Sequence, residues 1–319
     1  MNKLIFVIPA LLGVSACGGG DSTPQALLAI NAGTANTALA AGETLAANST
    51  TTLLGNADEG TSALVANPEK LSIKQGSDGG LSLIYGDKEY AFTVSDRHEE
   101  SSGKVYGFSK DIEVAEGSGD VSWVGVFSMQ GEIDDVLGSD ATDYAQNWRY
   151  YVYDESAQLE VGYITAGTQT EATFIPTMTT ATYQGYGHAD FLSSDDYAGW
   201  GARSEAQFSV ALEMDIENGT VSGAFDNVEL RTRTADDVPN YAPVDGKMVL
   251  SGGTVSSNQF AASLTADADL LNALGYGSVS GDLSGKFYGP EAEQAAGTFS
   301  GTSDTGANMI GVIRTHKQE

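Results

Sequence analysis

The feature that most constrains this chain is the stretch Glu205–Ile216. There Ala206, Phe208, Val210, Leu212, Met214 and Ile216 alternate without a break with Glu205, Gln207, Ser209, Ala211, Glu213 and Asp215. A period of two belongs to a β-strand with one dry face and one wet face, and a helix cannot use it. Glu217-Asn218-Gly219 follows, and Asn-Gly accepts the positive φ of a tight reversal, so Val221–Leu230 is expected to return antiparallel. The pattern spreads in both directions. Thr180–Tyr186 puts Ala181, Tyr183 and Gly185 on one face, and further strands read at about 247–253, 258–266, 278–288, 296–301 and 308–315. Within 278–288, Val279, Gly281, Leu283, Gly285 and Phe287 share a face.

That makes eight strands with one apolar side, joined by mostly short turns. Such a set is expected to close into a small barrel filled by side chains. Gly281, Gly285, Gly297, Gly301 and Gly311 would let the sheet bend sharply enough to close. A membrane barrel would turn its apolar face outward to lipid. Here the wet face carries Glu205, Glu213, Asp215 and Glu229, so a water-soluble barrel is the expectation for 176–319.

Upstream, strand signals begin near Glu69. Leu71-Ser72-Ile73-Lys74 and Leu81-Ser82-Leu83-Ile84-Tyr85 flank the turn sequence Ser77-Asp78-Gly79-Gly80, and a second turn at Gly86-Asp87 precedes Ala91-Phe92-Thr93-Val94. More strands read at 104–108, 121–129, 148–154 and 160–166, with Trp123, Phe127, Trp148, Tyr150, Tyr151, Tyr153 and Tyr163 among them. Residues 66–175 therefore form a second β-rich domain, and the fold class is all-β.

The first residues are of another kind. Lys3 is followed by the apolar run Leu4–Val14, too short for a membrane span, which needs about 20 residues, and typical of an export signal. It ends in Val14-Ser15-Ala16-Cys17, a branched apolar residue, two small residues and a cysteine. Residues 1–16 are read as a lipoprotein signal peptide, with Cys17 as the lipidated (palmitate-bearing) N-terminus after cleavage. Cys17 is the single cysteine of the chain, so no intramolecular disulfide can staple the fold. Gly18 after the cysteine, rather than aspartate, directs an enterobacterial lipoprotein to the outer membrane. Residues 17–65, rich in Gly, Ala, Thr, Ser and Asn, are read as a flexible tether, with a frayed helix over 26–46 as one local option. With 15 Lys+Arg against 43 Asp+Glu, the formal charge of −28 argues against nucleic-acid binding and fits cationic partners or a saline habitat.

Two stretches carry a resemblance. Phe287-Tyr288-Gly289-Pro290-Glu291-Ala292-Glu293, followed by Gly297-Thr298-Phe299, resembles the closing signature of transferrin-binding-protein-B-like surface lipoproteins. Gly167-Thr168-Gln169-Thr170 through Ile175-Pro176-Thr177 and Ala181-Thr182-Tyr183-Gln184-Gly185 resembles the opening of the barrel in the same family. The resemblance implies a β-rich handle domain, 66–175, followed by an eight-stranded antiparallel barrel, 176–319, and length for one such lobe. It also implies a non-enzymatic surface protein that binds a protein or haem/iron-source ligand. A TonB-dependent receptor and an outer-membrane translocator for surface lipoproteins are the implied partners. The competing reading is a structural or adhesive envelope protein without a small ligand.

Residue chemistry adds little to this. No nucleophile elbow, phosphate-binding loop or dinucleotide fingerprint is present, and no catalytic residue is assigned. Among three histidines none has metal-ligand spacing with another His or Cys, so no metal site is assigned. His188 is a candidate haem ligand, set against a plain loop histidine, and no other cofactor is indicated. His98 falls in the charged segment Asp96–Glu100 and is expected to be solvated. Asp134-Asp135, Asp195-Asp196 and Asp236-Asp237 read as charged turns lacking the order of a calcium loop. In Trp148–Tyr153, Trp148 and Tyr150 have the chemistry of interface anchors, with a half-buried strand as the alternative.

Overall fold

The computed structural model describes residues 44–47, 49–56, 61–64, 71–75, 80–99, 105–113, 121–129, 144–153, 158–175, 180–192, 204–233 and 239–318. The signal segment, Cys17, the tether up to residue 43 and the paired aspartates at 134–135, 195–196 and 236–237 lie outside these residues.

The first half of the chain builds two sheets. Its strands are β1 (Thr44–Ala46), β2 (Ser49–Asn56), β3 (Thr61–Leu64), β4 (Leu71–Gln75), β5 (Leu81–Tyr85), β6 (Lys88–Phe92), β7 (Arg97–Glu99), β8 (Val105–Glu113), β9 (Val121–Ser128), β10 (Ala145–Tyr153) and β11 (Gln158–Gly167). The small sheet runs β1-β4-β5-β6 and the large one β3-β2-β11-β10-β9-β8-β7. Ser49–Asn56 lies antiparallel along Gln158–Thr165, so Thr44–Ala46, Ser49–Asn56 and Thr61–Leu64 belong to the sheets and are not tether. Its Thr-rich composition had read as linker, but threonine is also a favoured strand residue. Likewise Thr44–Ala46 is strand, not the end of a frayed helix.

Each face of the large sheet has a different partner. Phe108, Val124, Val126, Trp148, Tyr150, Ile164 and Ala166 meet Leu71, Ile73, Leu81, Leu83 and Phe92 of the small sheet in one core. On the opposite face Tyr151, Val161 and Tyr163 meet Ile310 and Val312 of the C-terminal domain.

The second half contributes β12 (Thr180–Leu192), β13 (Ser204–Asp215), β14 (Thr220–Arg233), β15 (Pro239–Pro243), β16 (Met248–Ser256), β17 (Gln259–Ala266), helix α1 (Ala268–Leu274), β18 (Val279–Tyr288), β19 (Gln294–Ser303) and β20 (Asn308–Lys317). Pairing runs β12-β20-β19-β18-β17-β16-β14-β13 and back to β12, which closes an eight-stranded antiparallel barrel. The dry face of β13 is realised, with Ala206, Phe208, Val210, Leu212 and Met214 buried, and Glu213 is exposed on the other face, but Glu205, expected to be wet, is buried because the handle covers that end of the strand. The turn after it takes its positive φ at Gly219, and Asp215 accepts bonds from the Asn218 backbone and side-chain amides at 2.9 and 2.7 Å.

The lumen is filled. Phe208 stacks on Phe225 at 5.0 Å, and Phe299 leans on both at 5.9 and 5.4 Å. Phe287 bridges Tyr183 and Phe260. A Cβ at Gly311 would run into the Phe299 ring, so glycine there makes room for the stack. At one end of the barrel α1 inserts Leu270, and at the other Ile175 and Ala292 join the same core. Two elements escaped the sequence reading. The helix is capped by Asp267, whose carboxylate accepts from Leu270 N at 3.0 Å, and stopped by Gly275 in the left-handed region. β15 begins and ends in proline, which an edge strand tolerates and which hides it from propensity arguments.

Phe225→Ala should cost the barrel about 3–5 kcal/mol, because the ring is fully buried between two others. Urea unfolding that shows less than about 1 kcal/mol would mean the lumen is not packed as described.

Candidate functional site

Three places in the molecule could carry function: the lumen, the barrel ends and the seam between the domains. The lumen holds aromatic side chains, as described. Where β12, β13, β14 and β20 meet at one barrel end, an open cleft of about 520 Å³ is lined by residues including Thr180, Thr182, Glu213, Met214, Asp215 and Lys317. It is polar and shallow, and nothing in it is buried and poised for chemistry. Among the described residues no group of His, Cys, Asp or Glu is placed to hold a metal ion, and no helix is long and apolar enough to cross a membrane.

The seam is where polar chemistry concentrates. Arg149 projects from β10 on the barrel side and forms ion pairs with Asp190 of β12 and, at 3.2 Å, with Glu205 of β13. Tyr163 of β11 donates to the other Asp190 oxygen at 3.1 Å, and Arg231 of β14 holds the second Glu205 oxygen at 2.6 Å. The Arg149 guanidinium also lies over the Tyr151 ring at 4.9 Å and the Tyr163 ring at 5.7 Å. Asp190 is fully buried and Arg149 and Glu205 nearly so. Burial alone would lower the Arg149 pKa. Asp190 first, then the two tyrosines and Glu205, outweigh it and hold the arginine well above its ordinary value. Burial pushes the Tyr163 hydroxyl up, keeping it a proton donor.

At the far end of the seam the joint is made by backbone. Gln294 Oε1 accepts from the Tyr144 and Ala145 amides, both at 2.7 Å. Thr170 donates its amide to Phe287 O at 2.9 Å and its hydroxyl to Gly289 O at 2.6 Å, while Gly289 N donates to Thr168 O at 3.0 Å. The stretch Phe287–Gln294, quoted above as a family signature, is thus the splice between the two domains as well as a barrel connection.

The residues picked from sequence sit as follows. Trp148 is 1% exposed and bonds Gln146, and Tyr150 is 0% exposed and bonds Glu160. Both face the small sheet, so the interface-anchor reading of this pair gives way to a core role. The cause is that β10 is covered on both sides, so aromatic side chains are buried in both alternating sets, Trp148 and Tyr150 in one and Tyr151 in the other. His188 is not in a loop. It lies on the outer face of β12, 7% exposed, under the handle beside Arg149 and Glu205, so no open face is offered to haem. His98 opens β7 half-buried, with Ser109 Oγ at 2.6 Å and the Phe127 ring at 5.6 Å, rather than being solvated. Sequence reasoning missed Arg149, Asp190, Glu205 and Gln294. A lone arginine inside an aromatic strand was the signal available for the first, and outward acidic residues at strand ends gave none for the others.

A handle sheet bonded to a filled, plugged barrel defines a rigid two-domain lobe. Residues 175–317 match the family of C-lobe and N-lobe beta barrels of Tf-binding protein B. The C-terminal barrel is thus similar to the barrels of the transferrin-binding-protein-B family. Similar solved structures include a mutant transferrin binding protein B from Haemophilus parasuis Hp5, at 14% identity and TM-score 0.41, covering 85% of this chain and 45% of that one. Isotype 1 transferrin binding protein B from serogroup B Neisseria meningitidis is 15% identical, with TM-score 0.41 and coverage of 85% and 44%. The N-lobe domain of lactoferrin binding protein B of Moraxella bovis is 13% identical, with TM-score 0.32 and coverage of 60% and 79%. The chain spans less than half the length of the two transferrin binding proteins. No curated protein matches the sequence.

Arg149→Met should destabilise the chain by about 3–5 kcal/mol, since it takes from the buried Asp190 and Glu205 the cation they share. Chemical denaturation at neutral pH tests this; a loss under about 1 kcal/mol would show that water reaches the carboxylates.

Proposed function

We propose that this chain is a non-enzymatic recognition lobe, held at the outer membrane through a lipid on Cys17, that captures a protein of the transferrin type on its outer surface. The observation that carries the reading is the filled barrel. Six aromatic rings pack the lumen among the described residues, and Leu270 at one end and Ile175 and Ala292 at the other join that core, which favours recognition on the exterior. Relatives of the barrel are named for transferrin and lactoferrin binding, which points to an iron-carrying glycoprotein as the partner. The net charge of −28 favours a partner with a basic face and makes the association fall with salt. A protein ligand is preferred to haem because His188 lies inside the closed seam. Transfer to a TonB-dependent receptor and export by a surface-lipoprotein translocator complete the proposal.

The test is titration of the body lacking its signal and lipid against transferrin, lactoferrin and haem in parallel. Saturable binding of one protein, weakened as salt rises, is expected, with no change in the haem Soret band. Haem binding without protein binding would overturn the reading, and failure of all three would favour an adhesive role.

For the anchor, cells expressing the chain should incorporate labelled palmitate, and Cys17→Ser should abolish the label and release the protein from the membrane fraction. Label retained in that variant would refute lipidation at Cys17.

A further inference from the structure

The two domains each own a hydrophobic core, and two smaller clusters join them along the seam, one around Tyr163 and Val312 and one around Ala145 and Tyr288 at the hinge end. An interface that is separate from both cores can open without unfolding either side. Inside it, on the outer face of β12, His188 is buried where Arg149 of β10 and Glu205 of β13 act on its charge. Around these, Asp190 of its own strand and Tyr151 of β10 meet Arg149, Tyr163 of β11 bonds Asp190, Arg231 of β14 bonds Glu205, and Arg314 of β20 stands two residues beyond Val312, the pairing partner of His188.

We propose that His188 makes the seam acid-sensitive: when its imidazole takes up a proton from solvent, the handle lifts from the barrel while each domain keeps its own fold. The physical reason is burial first and charge second. His188 lies out of water beside the Arg149 guanidinium, whose carboxylate partners Asp190 and Glu205 are already engaged with it. An imidazolium there would be desolvated next to that cation, and the simplest relief is exposure to water. The backbone splice at Gln294 and Thr170 lies towards the other end of β20, where Gln294 pairs with His316, and serves as the hinge.

The sign follows from linkage. Burial first, and Arg149 second, push His188 down from 6.5 to about 4 in the closed form, with Glu205 opposing. The open form, with an ordinary imidazole, therefore binds the extra proton between those two values. Closure is complete above about pH 6.5 and is progressively lost towards pH 4. At pH 5 the open-to-closed ratio should be about thirtyfold higher than at pH 8.

Hydroxyl-radical footprinting of the whole mature chain reads this directly. Tyr151 and Tyr163, buried in the seam, should be oxidised several-fold faster at pH 5 than at pH 8, while Phe208 and Phe299 in the lumen stay protected. His188→Gln should keep both tyrosines protected at pH 5. Should Gln disturb folding at pH 8, His188→Phe offers a ring without a proton and must give the same protection. The proposal fails if the tyrosines stay protected in the native chain at pH 5. It also fails if the variants open at the same pH as the native chain, or if the lumen rings become exposed together with the seam.

Discussion

Strand β20 is buried on both faces, and the architecture turns on that. Met309 and Ile313 point into the barrel core, while Ile310 and Val312 point outward against Val161 and Tyr163 of the handle sheet. A barrel strand with a mostly wet outer face would read as β13 does, with a carboxylate or amide at four of its six outward positions. In β20 the run Met309-Ile310-Gly311-Val312-Ile313 has none, which is the signature of a strand packed from two sides. Covering Ile310 and Val312 with the handle removes them from water and favours the closed lobe at neutral pH.

That double burial also marks what was legible in the sequence. Alternation in β13, β17 and β18 exposes the barrel plainly, because one face of each is wet and the period stands out. It fails in β10, where Trp148 and Tyr150 serve one core and Arg149 and Tyr151 the other. A strand buried on both sides has no polar set to contrast with, so aromatic side chains that belong to packing look like spare contact surface. His188 misled for a related reason: a polar residue on the outer face of a barrel strand is ordinarily wet, and only the handle above it makes it dry. The strands at 44–64 were hidden by composition, since short Thr- and Ser-bearing edge strands and linkers draw on the same residues.

The signature Phe287–Glu293 gains a concrete meaning from the same geometry. Gly289 takes a φ of 89° and Ala292 a φ of 59°, so the chain kinks twice between β18 and β19. The kinks present Gly289 N and O to Thr168 and Thr170 and set Gln294 facing the start of β10. Glycine is required at the first kink by φ, and Tyr183 fixes the second through a 2.8 Å bond to Ala292 O. A motif that reads as a barrel hairpin is therefore a domain splice, which sequence spacing alone could not reveal because its partners lie over 100 residues away.

The polar content of the seam settles a further point. Apolar contact between Ile310, Val312, Val161 and Tyr163 would hold the domains together, yet it is non-directional, and a sheet could slide on a barrel wall at little cost. Arg149 removes that freedom, because its two carboxylate partners stand on different strands of the barrel and neither can be reached from a shifted register. A buried ion pair adds little net stability over an apolar substitute. What it adds here is one allowed placement of handle on barrel.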